Sequence, residues 1–160
     1  MSFLKRSTTM ILLGLLAACG GTAPPPIDLA AEEDAIRERT RQWKEAVAAK
    51  DLDEVMSYYA SDAVQMVAGM APMVGHQAIR DWLDTWLLDP AIDNHFAADA
   101  VEIASSGDLA YERGSWTFTK ESPEGPEEDF GKYVCIWKKV DGTWYAALDI
   151  SQSDAAPLEP

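Results

Sequence analysis

The chain predicts an α+β domain, with helices gathered in its first half and a curved antiparallel sheet in its second. Three observations carry that expectation. Up to residue 87 the apolar side chains recur at spacings of three and four, the period of a buried helix face. From residue 96 the sequence changes to β-branched and aromatic runs separated by turn signals. Asp141-Gly142 then stands between two such runs, and both central positions of a type I′ hairpin turn need the positive φ that Asp tolerates and Gly accepts freely.

Taken in order, Asp28 is a helix N-cap, with Glu32, Glu33 and Asp34 placed where they complement the helix dipole. Ile36, Thr40, Trp43 and Val47 continue that helix to about Lys50. Asp51 caps a second, short helix carrying Leu52, Val55, Met56 and Tyr59, and residues 63–67 read as a short strand. Gly69-Met70-Ala71-Pro72 breaks regular structure. A third helix, residues 75–87, shows Ile79, Leu83, Trp86 and Leu87 on one face and stops at Asp89-Pro90. Strands are expected at 96–104, 109–120, 130–140 and 143–153, divided at Ser106-Gly107-Asp108, Pro123-Glu124-Gly125-Pro126 and Asp141-Gly142. A regular hairpin register sets Val140 opposite Thr143, Cys135 opposite Leu148 and Val134 opposite Asp149. The core face then carries Tyr133, Cys135, Trp137, Trp144, Ala146, Leu148 and Ile150, and Asp149 falls on the other face.

The amino terminus carries a different kind of signal. Lys5 and Arg6 precede an apolar run, Met10 to Leu16, too short to span a bilayer, and Leu16-Ala17-Ala18-Cys19 follows. This box resembles the bacterial lipoprotein signal, which implies cleavage before Cys19 and acylation of its thiol. Buried acyl chains, at about 0.8 kcal/mol per CH₂, anchor a protein without a transmembrane span. The expected organisation is therefore a signal peptide at 1–18, a Pro-rich tether at 19–28, a domain at 29–154 and a frayed tail at 155–160. The expected location is the cell envelope, facing the periplasm or exterior. Gly20 after the cysteine resembles outer-membrane sorting, should the source be Gram-negative.

Loss of the leader removes two of the 13 basic residues and none of the 27 acidic ones, so 11 against 27 leaves a formal charge of −16. Such a surface repels phosphate backbones and argues against nucleic-acid binding. With Cys19 acylated, Cys135 has no partner for a disulfide and reads as a small buried hydrophobe. His76 and His95 are the only histidines, and neither has Cys or acidic residues at zinc-ligand spacing, so no metal and no cofactor is expected.

Lys50-Asp51-Leu52, Tyr58-Tyr59-Ala60-Ser61-Asp62-Ala63 and Gly75-His76-Gln77-Ala78-Ile79 resemble the SnoaL-like group of the nuclear transport factor two-like superfamily. So do Ser106-Gly107-Asp108-Leu109-Ala110-Tyr111 and Gly131-Lys132-Tyr133-Val134. The resemblance implies a cone-shaped, cystatin-like roll: a strongly curved antiparallel sheet wrapped around three N-terminal helices, with an apolar pocket in its mouth. It also implies frequent dimerisation through the outer sheet face. Trp43, Tyr59, Met66, Trp82, Trp86, Trp116, Tyr133 and Trp137 are the expected pocket lining.

Ketosteroid isomerases of the superfamily use a Tyr on the first helix and an Asp base on the first strand. Here the matching positions hold Trp43 and Val67, so that catalytic pair is absent. His95, Arg113 and Asp149 remain as candidates for polar or acid–base roles, and Arg113 and Asp149 are residues that could meet across the sheet. Three functions stay open: a lipid-anchored binder of a small hydrophobic molecule, a cyclase, isomerase or lyase acting on a small carbonyl compound, and a dimerising envelope interaction module.

Overall fold

The computed structural model describes residues 26–155. The expected signal peptide, Cys19, the expected tether up to residue 25 and the expected frayed tail beyond residue 155 lie outside the described residues. In chain order the elements are α1 (Leu29–Ala48), α2 (Leu52–Met56), β1 (Tyr59–Val67), β2 (Met73–Val74), α3 (His76–Asp84), β3 (Ile92–Ile103), β4 (Leu109–Lys120), β5 (Glu127–Val140) and β6 (Thr143–Ser153).

Both expected caps form: Asp28 accepts from the Ala31 amide at 3.2 Å and Asp51 from the Glu54 amide at 3.0 Å. Ile36, Thr40, Trp43 and Val47 are the buried stripe of α1. Its first turn does more than complement the dipole. Glu32 accepts from Lys139 Nζ on β5 and Trp144 Nε1 on β6, which fastens the helix to the far hairpin, and the Lys139 ammonium holds its carboxyl below the usual range. The α1–α2 junction turns at Lys50, whose φ of 56° is unusual for a residue with a Cβ. Its ammonium donates to the carbonyls of Leu87, Asp89 and Ile92, fixing the loop between α3 and β3.

The sheet has six strands in the order β2-β1-β6-β5-β4-β3. The meander of β3 to β6 is antiparallel throughout, and Asp141 and Gly142 have φ of 49° and 83° at its tightest turn. The expected all-antiparallel sheet, strongly curved and wrapped as a cone around the helices, is corrected: β1 runs parallel to β6, and β2 and β3 are open edges, so the sheet is mixed and neither closed nor strongly curled. A parallel pair joins segments far apart in the chain and leaves no local turn signal, which is why the pattern does not disclose it. β1 starts at Tyr59 rather than residue 63, because Tyr59 lies four residues from Val55 and fits a helix period equally well.

One irregularity decides which side chains face the helices. Trp137 pairs with Ala146 but Ile136 pairs with Leu148, so Ala147 is an extra residue, a β-bulge. Beyond it the strand is displaced by one position from a regular hairpin. Asp149 stands opposite Cys135 instead of Val134, and Ile150, expected in the core, is exposed.

Candidate functional site

A cavity of about 370 Å³ lies between the helices and the sheet. Its deepest residues are buried: Trp43 from α1, Val55 from α2, Tyr59 and Gln65 from β1, Tyr133 and Cys135 from β5. Trp82 of α3, Trp86 in the turn that follows it, Asn94 and Phe96 of β3, Trp116 and Phe118 of β4 and Asp129 of β5 are half-buried and form the outer part.

The aromatic residues are held by one another. Trp43 is the hub, meeting Tyr59, Phe96 and Trp137 edge-to-face with centroids at 5.0, 5.8 and 5.8 Å and stacking on Tyr58 at 5.8 Å. Trp82, in the last turn of α3, and Trp86, just beyond it, meet edge-to-face at 5.4 Å. Gly114 stands opposite Tyr133, and a Cβ on it would fall 2.6 Å from that ring and 2.1 Å from the Ala97 carbonyl. The glycine is what lets the ring lie against β4.

At the inner end, Tyr59 Oη lies 3.1 Å from Gln65 Oε1, to which it donates, and 3.4 Å from Asp149 Oδ2. Burial pushes the Asp149 carboxyl up from 3.8 to about 7, the nearby Glu112 adds to the rise, and hydrogen bonds from Gln65 and Tyr59 oppose it. Asp149 meets the cavity rather than bulk water, which explains why partial exposure does not restore its ordinary acidity. Behind Tyr133 lies a second buried carboxyl. Glu112 accepts from Thr40 Oγ1 at 2.5 Å and Tyr133 Oη at 2.6 Å, and burial raises its pKa despite both bonds. This network joins α1, β4 and β5.

Of the expected lining, Trp43, Tyr59, Trp82, Trp86, Trp116 and Tyr133 border the cavity. Met66 does not, because strand alternation turns Gln65 and Val67 inward and leaves Met66 exposed. Trp137 is fully buried against Trp43 and belongs to the closed core. Among the polar candidates, only Asp149 reaches the cavity. His95 is exposed and lies 3.0 Å from Asp93, since Asn94 and Phe96 take the inward positions of β3. Arg113 is exposed too, 3.9 Å from Asp99, with Glu112 and Gly114 facing in. Arg113 and Asp149 therefore lie on opposite faces and do not meet. His76 Nε2 lies 2.9 Å from the Tyr59 carbonyl, a structural contact.

Gln65 and Glu112, together with Asn94, Asp129 and Ser151 of the lining, are polar residues that the sequence reading passes over as site members. Alternation from buried Ala110 through Glu112 to Gly114 is the signal that could have found the second. Among the described residues, no group of three or more His, Cys, Asp or Glu side chains could hold a metal ion, and no helix is long and apolar enough to cross a membrane.

A SnoaL-like domain profile matches residues 40–147. The chain belongs to the SnoaL-like family. No curated protein matches the sequence. Among solved structures, a ketosteroid isomerase-like protein from Erwinia carotovora atroseptica is similar, with a TM-score of 0.67 at 18% identity over 78% of this chain and 98% of that one. A nuclear transport factor two-like protein with a cystatin-like fold from Novosphingobium aromaticivorans has a TM-score of 0.68 at 17% identity, covering 81% and 86%. A conserved protein from Planctomyces limnophilus has a TM-score of 0.64 at 22% identity, covering 78% and 97%. At these identities the likeness establishes the fold of this SnoaL-like domain, and its chemistry must come from its own residues.

Proposed function

We propose that residues 29–154 form the binding domain of an envelope protein that takes up a small, mostly apolar molecule, and that acylated Cys19 anchors it to a membrane. The observation that carries the binding reading is the aromatic-walled cavity of about 370 Å³ with a single carboxyl group, Asp149, at its inner end. That size and lining suit a small organic ligand oriented by one or two polar contacts. The anchor rests on Leu16-Ala17-Ala18-Cys19 behind a short apolar run. Native mass spectrometry of protein purified from its source, together with calorimetric titration of small aromatic compounds, tests binding. Absence of any bound species and of any heat on titration would overturn it. Labelling with a radioactive fatty acid, lost in Cys19→Ser, tests the anchor.

A second reading is favoured by the Asp149 carboxyl, which titrates at about 7 and can both accept and donate a proton near neutrality. In that reading the site moves a proton on a bound carbonyl compound, with Tyr59 donating to the developing oxyanion. Asp149→Asn then abolishes turnover while retaining ligand. A homodimer through the outer sheet face is supported by Met66, Ile150 and Val134, which form one exposed apolar row across β1, β6 and β5. Sedimentation at micromolar concentration tests it.

A further inference from the structure

We infer that the molecule this cavity takes is an organic cation, an amine or quaternary ammonium carried on an apolar body. The inference rests on the binding reading above and names its ligand class. Two carboxylates, Asp149 at the inner end and Asp129 in the outer part, border the cavity, and no Lys, Arg or His does. Neither has a cationic partner among the described residues.

Asp129 is already oriented, accepting from Ser153 Oγ at 2.7 Å, but that bond leaves its charge uncompensated. A buried carboxylate without a counter-ion is costly, and a cation supplied by the ligand removes the cost. Trp43, Trp82, Trp86 and Trp116 add four indoles to the lining, the side chain best suited to meet a positive charge. A cleft bearing one sign of charge, in a chain with a formal net charge of −14, concentrates cations and repels carboxylates and phosphates.

The test compares three probes of one shape, 2-naphthylmethylamine, 2-naphthylmethanol and 2-naphthoic acid, titrated calorimetrically into the full-length chain at pH 8. The amine is expected to bind at least tenfold more tightly than the alcohol, and the acid to give no measurable binding. In Asp149→Asn the advantage of the amine over the alcohol falls to about threefold or less. Asp129→Asn reduces the advantage by a smaller factor. Equal binding of amine and alcohol to the unaltered chain, or tighter binding of the acid, overturns the cation inference and leaves the binding reading standing. Failure of all three probes at millimolar concentration counts against the binding reading itself and removes the inference with it.

Discussion

Gly131 stands directly opposite Trp116 on the neighbouring strand, and the indole lies across it, with Nε1 donating to the Lys132 carbonyl at 3.2 Å. A Cβ at position 131 would fall 2.7 Å from the Trp116 ring and 2.0 Å from the Gln152 carbonyl. The outer wall of the cavity therefore depends on a residue that contributes no atom to it. Gly131→Ala is expected to displace Trp116 and cost about 1–3 kcal/mol of stability. Thermal melting reads the loss, and a shift in tryptophan emission reads the movement. An unchanged spectrum and melting temperature would show that the glycine is dispensable.

The Thr40–Glu112–Tyr133 network is expected to be more sensitive to losing its centre than either end. Glu112→Ala leaves a buried hydroxyl on each side without its acceptor and should cost about 2–4 kcal/mol. Glu112→Gln keeps one acceptor oxygen and should cost less. Urea denaturation of the two variants gives the order.

Asp149 sets a pH dependence of defined sign. Its pKa rises from 3.8 to about 7 on folding, so the folded protein binds the proton more tightly and stability falls as pH rises through that interval. The groups around it are Tyr59 and Gln65 from β1, Cys135 and Tyr133 from β5 and Glu112 from β4. The tyrosines and the thiol are pushed up and stay neutral there, which leaves Glu112 as the other titrating group. Asp149→Asn should match the parent near pH 4 and exceed it at pH 8, by up to about 4 kcal/mol. Denaturant midpoints across that range check the crossing; equal slopes for the two proteins would contradict it.

Lys50 is expected to control the loop that carries Trp86 toward the cavity. Lys50→Met removes donors from three carbonyls and should cost about 1–3 kcal/mol while speeding amide hydrogen exchange over residues 85–92. Exchange confined to its parent rate would assign the contact no role in holding that loop.

Much of the fold is readable where chemistry is local. Asp28 and Asp51 cap because a short carboxylate at those places has an amide to accept from, and the ends of β4 and β6 follow from turns that only certain residues can make. Reading fails where partners are distant. The two residues of β2 carry no pattern, and the parallel pairing of Gln65 with Asp149 joins positions more than eighty residues apart. The site suffers most from this: one extra residue at Ala147 reverses the facing of Asp149, and no composition rule marks where a bulge will fall. His95 and Arg113 are candidates from sequence because only strand pairing fixes which way each side chain turns.

The bulge at Ala147 divides β6 into two halves with separate anchors. The near half is registered by the Asp141-Gly142 turn and by Ala146 beside Tyr59, and the far half by β5 on one side and by β1 on the other, where Val64, Gln65, Met66 and Val67 meet Leu148, Asp149, Ile150 and Ser151. A length change of one residue in the hairpin can thus be absorbed at the joint. The carboxylate stays aimed at the same spot, so a lineage can edit its last turn without rewriting the chemistry of the chamber behind it.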